Sequence, residues 1–259
     1  NALFSGLGIY VFRLGIVGVA LGTVLARLVG VLILWRELDL STIRWSWGLD
    51  RELLRLSLPA AGERLMMRAG DVMIIAIVVV FGTDAVAGNA IGEVLTQFNY
   101  MPAFGVATAT VMLVAHAVGE GDMQAVGLIR QRAFWLSFAC MLPLALGIFA
   151  LGRPLTLLYT DNSGAITASL SVILFSLLGT PMAAGTVIYT AVWQGLGNSR
   201  LPFYATTIGM WLIRIVSGYL LGVTFGLGLP GVWAGTLLDN GFRWLFLKVL
   251  FDRKMREIT

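Results

Sequence analysis

Charge is scarce in this sequence. Lys, Arg, Asp and Glu make up 12% of its 259 residues, while 58% are hydrophobic. A soluble domain carries about 25% charged and about 45–50% apolar residues. The apolar excess runs along the whole chain, which excludes a soluble protein and defines an all-α polytopic membrane protein. Cysteine is limited to Cys140, so there is neither a disulfide framework nor a cysteine-based metal site. The lone histidine, His116, cannot hold a metal by itself and reads as an interfacial residue at a helix end. No glycine run is followed by Lys-Ser or Lys-Thr, so no nucleotide-binding loop drives a pump within this chain. Ser5, Ser171 and Ser176 lie in apolar surroundings with no base except His116. No enzyme chemistry and no cofactor is expected. No basic-then-apolar signal peptide follows Asn1.

Long apolar runs are what the sequence does have. A partial span covers 1–12, about 18 Å of helix where roughly 30 Å is needed. Full spans are predicted near 14–36, 56–82, 85–115, 133–152, 165–193, 203–225 and 229–250. The chain therefore reads as beginning inside a membrane helix. Its 31 glycines recur within the apolar runs, as expected where helices pack closely in lipid. The charge-rich stretch 37–54 divides 1–36 from 55–259.

The net charge of +4 comes from basic residues at span ends, which are topology signals and not a nucleic-acid surface. Arg36, Arg44, Arg51, Arg55, Arg130, Arg132, Arg200, Arg253, Lys254 and Arg256 fall on one side; only Arg13 and Arg153 fall on the other. The positive-inside rule then makes the connector and the carboxyl end cytoplasmic, in a multi-pass protein of the cell membrane. There is also an internal repeat. A shift of 213 positions lays 14–36 over 227–249. Leu14, Gly15, Gly18, Val19, Gly22, Thr23, Leu25, Leu32 and Leu34 then match Leu227, Gly228, Gly231, Val232, Gly235, Thr236, Leu238, Leu245 and Leu247. The shared glycine register carries the argument, and both copies run in the same direction. Parallel repeats of this kind are a transporter architecture.

Ionisable groups inside such spans are costly, about 2.5–3.5 kcal/mol per charge on the insertion scale, and mark functional sites. Arg64, Arg68 and Asp71 recur at helical spacing on one face, with Glu63 one position away. They read either as a charge-lined cavity wall, with Glu63 or Asp71 able to take a proton, or as a structural Arg68–Asp71 pair. Glu93 lies near mid-span with no basic residue within a helical turn. Desolvation there favours the neutral acid, which suits proton coupling or cation binding; a protonated Glu bonded to a neighbouring helix is the alternative. Pro59, Pro102, Pro143 and Pro181 permit bends in their helices. Phe98, Tyr100, Met101, Tyr189 and Trp193 could line a pocket for flat apolar cations, or simply pack. Arg214 and Asp239 are expected to pair with each other.

Four passages resemble the multidrug and toxic compound extrusion (MATE) family. Leu58-Pro59-Ala60-Ala61-Gly62-Glu63-Arg64-Leu65, with Arg68 and Gly70, resembles the start of the family's seventh helix. Ala87 to Ile91, Tyr100-Met101-Pro102, Gly105, Ala107 and Leu113 to Gly121 are similar to its eighth helix and following loop. Gly195-Leu196-Gly197-Asn198-Ser199-Arg200-Leu201-Pro202 resembles its Gly-x-Gly-Asp-Thr-Arg-x-Pro turn. Trp211-Leu212-Ile213-Arg214, Tyr219-Leu220-Leu221 and Gly231-Val232-Trp233 resemble its last two helices.

The resemblance implies a MATE-like helical bundle of two six-helix lobes. The family exports small amphipathic organic cations by proton or sodium antiport. This chain would hold the end of helix five, helix six and the complete second lobe, without helices one to four. It also implies two departures. In one branch, first-lobe cation binding uses an Asn and an Asp four residues apart plus a Thr on the next helix. Asn1 and Thr23 match, but Ser5 stands at the Asp position. In the sodium-coupled branch an Asp in helix ten contributes, and 165–193 has no acidic residue. Glu63, Asp71 and Glu93 remain as coupling groups. A more distant likeness, to lipid-linked oligosaccharide flippases of the same superfamily, implies a strongly cationic cavity. A non-transporting membrane fragment is the third reading.

Overall fold

The computed structural model describes residues 2–8, 15–37 and 51–258, and these form two compact units, Asn1–Leu49 and Asp50–Thr259. Asn1 and most of the predicted connector lie outside the described residues. In the first unit, α1 (Ala2–Gly6) packs on α2 (Gly15–Glu37). In the second, α3 (Arg51–Val79), α4 (Thr83–Gly119) and α5 (Met123–Ala150) are followed by a short α6 (Gly152–Leu157) and a long α7 (Ser163–Gly195). A further helical run joins α8 (Arg200–Thr207), a π-helical stretch Ile208–Ile215, α9 (Val216–Tyr219) and a second π-helical stretch Leu220–Thr224. The last helix is α10 (Leu229–Ile258). All described secondary structure is helical, and long helices stand at each of the predicted full spans. Gly15–Ile33, Thr83–Gly119, Met123–Ala150, Ser163–Gly195 and Arg200–Thr224 are long and apolar enough to cross a membrane. Helices α3 and α10 have the length, but their charged and polar residues keep them out of that set.

In lipid the helices gain nothing by hiding apolar surface from one another, so close van der Waals packing must hold them. Here glycine provides it. The broadest helix pair is α4 with α7, where Gly88 and Gly92 lie one turn apart. A Cβ on Gly88 would come within 2.5 Å of Ala165 O, and one on Gly92 within 2.6 Å of the Val172 Cβ. At the other end of the pair, a Cβ on Gly195 would meet Val111 O at 2.8 Å. Caps then fix one end: Asn162 accepts from Gly164 N at 2.8 Å and donates to Asp84 Oδ1 at 3.0 Å, tying the start of α7 to the start of α4. Helix α10 closes the other flank of α7 through Val192, Trp193, Leu247 and Phe251, all buried. Helix α3 packs on α8 and the adjoining π-helical stretch.

The sequence repeat survives as a repeat of backbone contacts. Within the first unit, a Cβ on Gly18 would lie 2.7 Å from the Gly8 backbone, and one on Gly22 would lie 2.6 Å from Ser5 N. Within the second, a Cβ on Gly231 would lie 2.6 Å from the Leu221 backbone and one on Gly235 2.9 Å from Gly218 N. Adding the 213-residue offset to Gly8 and Ser5 gives Leu221 and Gly218, so the partners are shifted as well as the glycines. The entry to each copy is a glycine with left-handed backbone, Gly15 at φ 54° and Gly228 at φ 63°, a conformation open to glycine at little cost. The two hairpins are built to one plan.

A side chain on Gly231 has no room, because its neighbour is backbone. Gly231→Val should lower stability by about 1–3 kcal/mol, the usual range for overpacking. Gly147→Ala, at a position with open space around it, should leave stability unchanged. Thermal unfolding of both variants in detergent measures the difference.

Candidate ion- and substrate-binding site

Helix α3 carries the predicted charges, and its packing sorts them. Glu63 is buried, at 7% exposure, against α8, where Thr206 Oγ1 donates to its Oε1 at 3.2 Å. Arg64 and Arg68, expected on a face with Asp71, are exposed. Asp71 is half-buried and lies between two guanidinium groups, 3.6 Å from Arg68 and 3.5 Å from Arg214. The Arg68–Asp71 pair is therefore present; with Arg68 so exposed it contributes little to stability.

The expected Arg214–Asp239 pair does not form. Asp239 is fully buried and is held by Arg243 Nη2 at 2.7 Å, one helical turn along α10. Arg243 also donates to Asn240 Oδ1 at 3.2 Å, and Thr186 Oγ1 on α7 donates to Asn240 O at 2.9 Å. Arg214 reaches the other way, to Asp71, with Met210 Sδ 3.8 Å from its Nη1. The physical reason lies in the π-helical stretch opposite α10. Gly209 there faces Asp239 Oδ1 and Arg243 so closely that any Cβ would run into both. Asp239 is thus enclosed by α10 and a glycine. Arg243 and Arg64 act electrostatically on Glu63, and Arg214, Arg243 and Asp239 act on Tyr100 of α4. Glu63, Thr206, Tyr100 and the Asp239–Arg243 pair form one polar centre among α3, α4, α8 and α10.

The other predicted residues lie elsewhere. Glu93 is exposed on α4, where its Oε1 accepts from Asn89 Nδ2 at 3.1 Å, and Asn89 Oδ1 accepts from Trp233 Nε1 at 2.9 Å. It ends a polar chain from α10 to α4 and shares no partner with Glu63. The aromatic set is not one pocket. Phe98 and Met101 are exposed, and Tyr100 stacks on Phe104 at 6.4 Å. Tyr189 and Trp193 belong to a separate cluster around Phe251. In the first unit, Thr23 Oγ1 donates to Val19 O at 3.0 Å, and the Ser5 backbone lies under Gly22. Asn1 is outside the described residues.

Sequence reasoning missed Thr206 and Arg243. Arg243 was open to detection, since Asp239 and Arg243 stand four residues apart, the spacing of neighbours on a helix face. Thr206 carries no such signal, because a hydroxyl in an apolar run usually bonds its own helix.

A bundle of long helices that hides ionisable groups in a polar centre has the construction of a membrane transporter. The chain belongs to the MatE family, whose description matches residues 59–220. It is 32% identical over 249 residues to the probable multidrug resistance protein NorM of Thermotoga maritima, covering 92% of this chain and 53% of that protein. It is 28% identical over 202 residues to the multidrug resistance protein MdtK of Photorhabdus laumondii, covering 74% of this chain and 43% of that one. The chain thus spans about half the length of the curated relatives it matches. Among solved structures, an outward-facing multidrug resistance MATE family transporter of the MOP superfamily matches with a TM-score of 0.86 at 21% identity. That match covers 98% of this chain and 60% of that one. A MOP superfamily transporter from Pyrococcus furiosus, described as having a binding pocket of reverse polarity, matches with a TM-score of 0.86 at 20% identity, with 98% of this chain and 59% of that one covered. These structural likenesses establish the fold.

Removing one member of a buried ion pair strands the other. Asp239→Ala should destabilise the protein by about 3–5 kcal/mol, whereas Asp239→Ala with Arg243→Met should recover most of the loss. Thermal unfolding of the single and double variants is the check; equal losses in both would show that Arg243 does not depend on Asp239.

Proposed function

We propose that the protein is a secondary active multidrug exporter, antiporting amphipathic organic cations against protons or sodium by alternating access. In this reading residues 1–36 end the first lobe, 37–54 form a cytoplasmic connector, and 55–259 form the second six-helix lobe. The protein sits in the cytoplasmic membrane with its carboxyl end inside, takes helices one to four as its missing partners, and needs no cofactor. The observation that carries the proposal is Glu63: a buried carboxylate in a membrane helix that accepts a hydrogen bond from the Thr206 hydroxyl and forms no ion pair among the described residues. Asp71 and Asp239 are already held by guanidinium groups. Glu63 is left free to exchange a proton, a sodium ion or an organic cation.

Arg64 and Arg68 would tune the potential around Glu63, and Asp71 would balance the arginines. Glu93 is the second exchange group, on the exposed face of α4. Tyr100 beside the polar centre and Tyr189 at the helix ends are the aromatic contacts, and Asn1, Ser5 and Thr23 are the first-lobe polar positions. The neighbouring positive charges make a diphosphate-bearing lipid the competing substrate, as in the flippases.

The experiment is efflux of a fluorescent organic cation from proteoliposomes holding the full-length transporter, with a pH gradient and a sodium gradient imposed in separate runs. Efflux under one gradient names the coupling ion. Glu63→Gln keeps an acceptor for Thr206 and should cut coupled efflux at least tenfold while the protein stays folded. Glu93→Gln should do the same; undiminished efflux would remove Glu93 from the mechanism. No efflux under either gradient, from folded protein, would turn the assignment to lipid-linked substrates.

A further inference from the structure

A second polar concavity lies away from this centre. Between α5, α7 and α10, at the end of the bundle that bears Arg132, Arg253 and Lys254, a cleft of about 270 Å³ opens among Arg130, Phe134, Trp135, Tyr189, Trp244 and Lys248. Its mouth is cationic. Arg130 Nη1 donates to the Tyr189 hydroxyl at 2.6 Å, and its guanidinium lies 5.6 Å from the Tyr189 ring centre and 5.3 Å from that of Phe251. These contacts hold the arginine in place. The nearest carboxylate, Asp252, is 3.8 Å away, at long range for a pair and half exposed. Arg130 Nε is buried and has no acceptor among the described residues, and the same is true of the indole N–H of Trp244. Lys248 makes no ion pair among the described residues.

Beyond the mouth the walls are aromatic. Trp244 stacks on Phe134 with ring centres 5.7 Å apart and planes 13° from parallel. Phe134 meets Trp135 edge-on at 5.5 Å, and Trp135 is 57% exposed on the flank of the bundle. The cleft thus runs from two cations to an apolar outer wall, the polarity of a phospholipid lying along a helix bundle. A basic pocket between membrane helices recognises an anionic head group, and an arginine with a free N–H matches phosphate oxygens in shape and charge. A free phosphate would use the mouth alone and leave the aromatic wall idle. An organic cation would meet two like charges.

We propose that this cleft binds the phosphate head group of an anionic phospholipid, with Arg130 and Lys248 as its ligands and the Phe134–Trp135 wall against its acyl chains. This needs only that the bundle is embedded in a membrane, so it stands whether or not the protein exports drugs.

The test is native mass spectrometry of the delipidated protein in neutral detergent, titrated with dihexanoyl phosphatidylglycerol or dihexanoyl phosphatidylcholine. Phosphatidylglycerol should be retained at least tenfold more tightly. Lys248→Glu should reduce its retention at least tenfold without changing thermal unfolding, because Lys248 holds no partner that the fold needs. Arg153→Gln, in α6 just past the far end of α5, should leave retention unchanged. Arg130→Gln, which also releases Tyr189, supports the site only where its unfolding curve matches the parent. Equal retention of the two lipids, or indifference to Lys248→Glu, overturns the proposal. Displacement of phosphatidylglycerol by an equal concentration of inorganic phosphate would show an anion site and overturn the lipid assignment.

Discussion

Everything in the second unit depends on backbones coming close together at positions without a side chain. In a bilayer the hydrophobic effect does not distinguish one helix neighbour from another, so contact distance decides which helices associate. Gly88 and Gly92 let α4 lie against Ala165 and Val172 of α7, and Gly231 and Gly235 let α10 lie against Leu221 and Gly218. Gly62 and Gly70 do the same for α3, against the side chains of Phe203 and Met210. The same contacts recur in the first unit at the repeat offset, which makes the glycine ladder a shared plan.

Close approach also shapes the polar centre. Gly209 admits Asp239 and Arg243 between α10 and the π-helical stretch, where water has little access. A buried pair of this kind loses much of its Coulomb energy to desolvation, so the pair within α10 adds little net stability of its own. Against that background Glu63 stands apart. It is buried beside the pair yet bonded to the Thr206 hydroxyl.

The spans were legible because apolar length is written directly in the chain, and the repeat was legible because glycine spacing is. Asp239 could be seen as an intramembrane charge, but it was paired with Arg214, and Arg243, one helical turn along the same helix, was missed. The face of α3 was misjudged by one residue: periodicity grouped Arg64 with Arg68 and Asp71, and packing on α8 turned Glu63 inward while leaving both arginines exposed. The aromatic residues failed as a set for the same reason. Tyr100 and Tyr189 lie on helices that touch, yet at different heights and against different partners. Sequence gives the period of a helix and leaves open which neighbour meets each face.

The repeat shares its first three glycines and differs in its charges. Asp239 and Arg243 correspond, at the same offset, to Ala26 and Gly30 in the first copy. Helix α2 therefore carries one mid-span charge, Arg27, where α10 carries a buried ion pair. The two must differ during synthesis. Helix α2, with Arg27 as its one mid-span charge, is apolar enough to cross a membrane, whereas α3 and α10 each bring several charges, and a charge at mid-helix opposes insertion by about 2.5–3.5 kcal/mol. Asp71 gains its Arg214 partner only where the penultimate helical run lies beside α3, and Asp239 is enclosed only where Gly209 lies against α10.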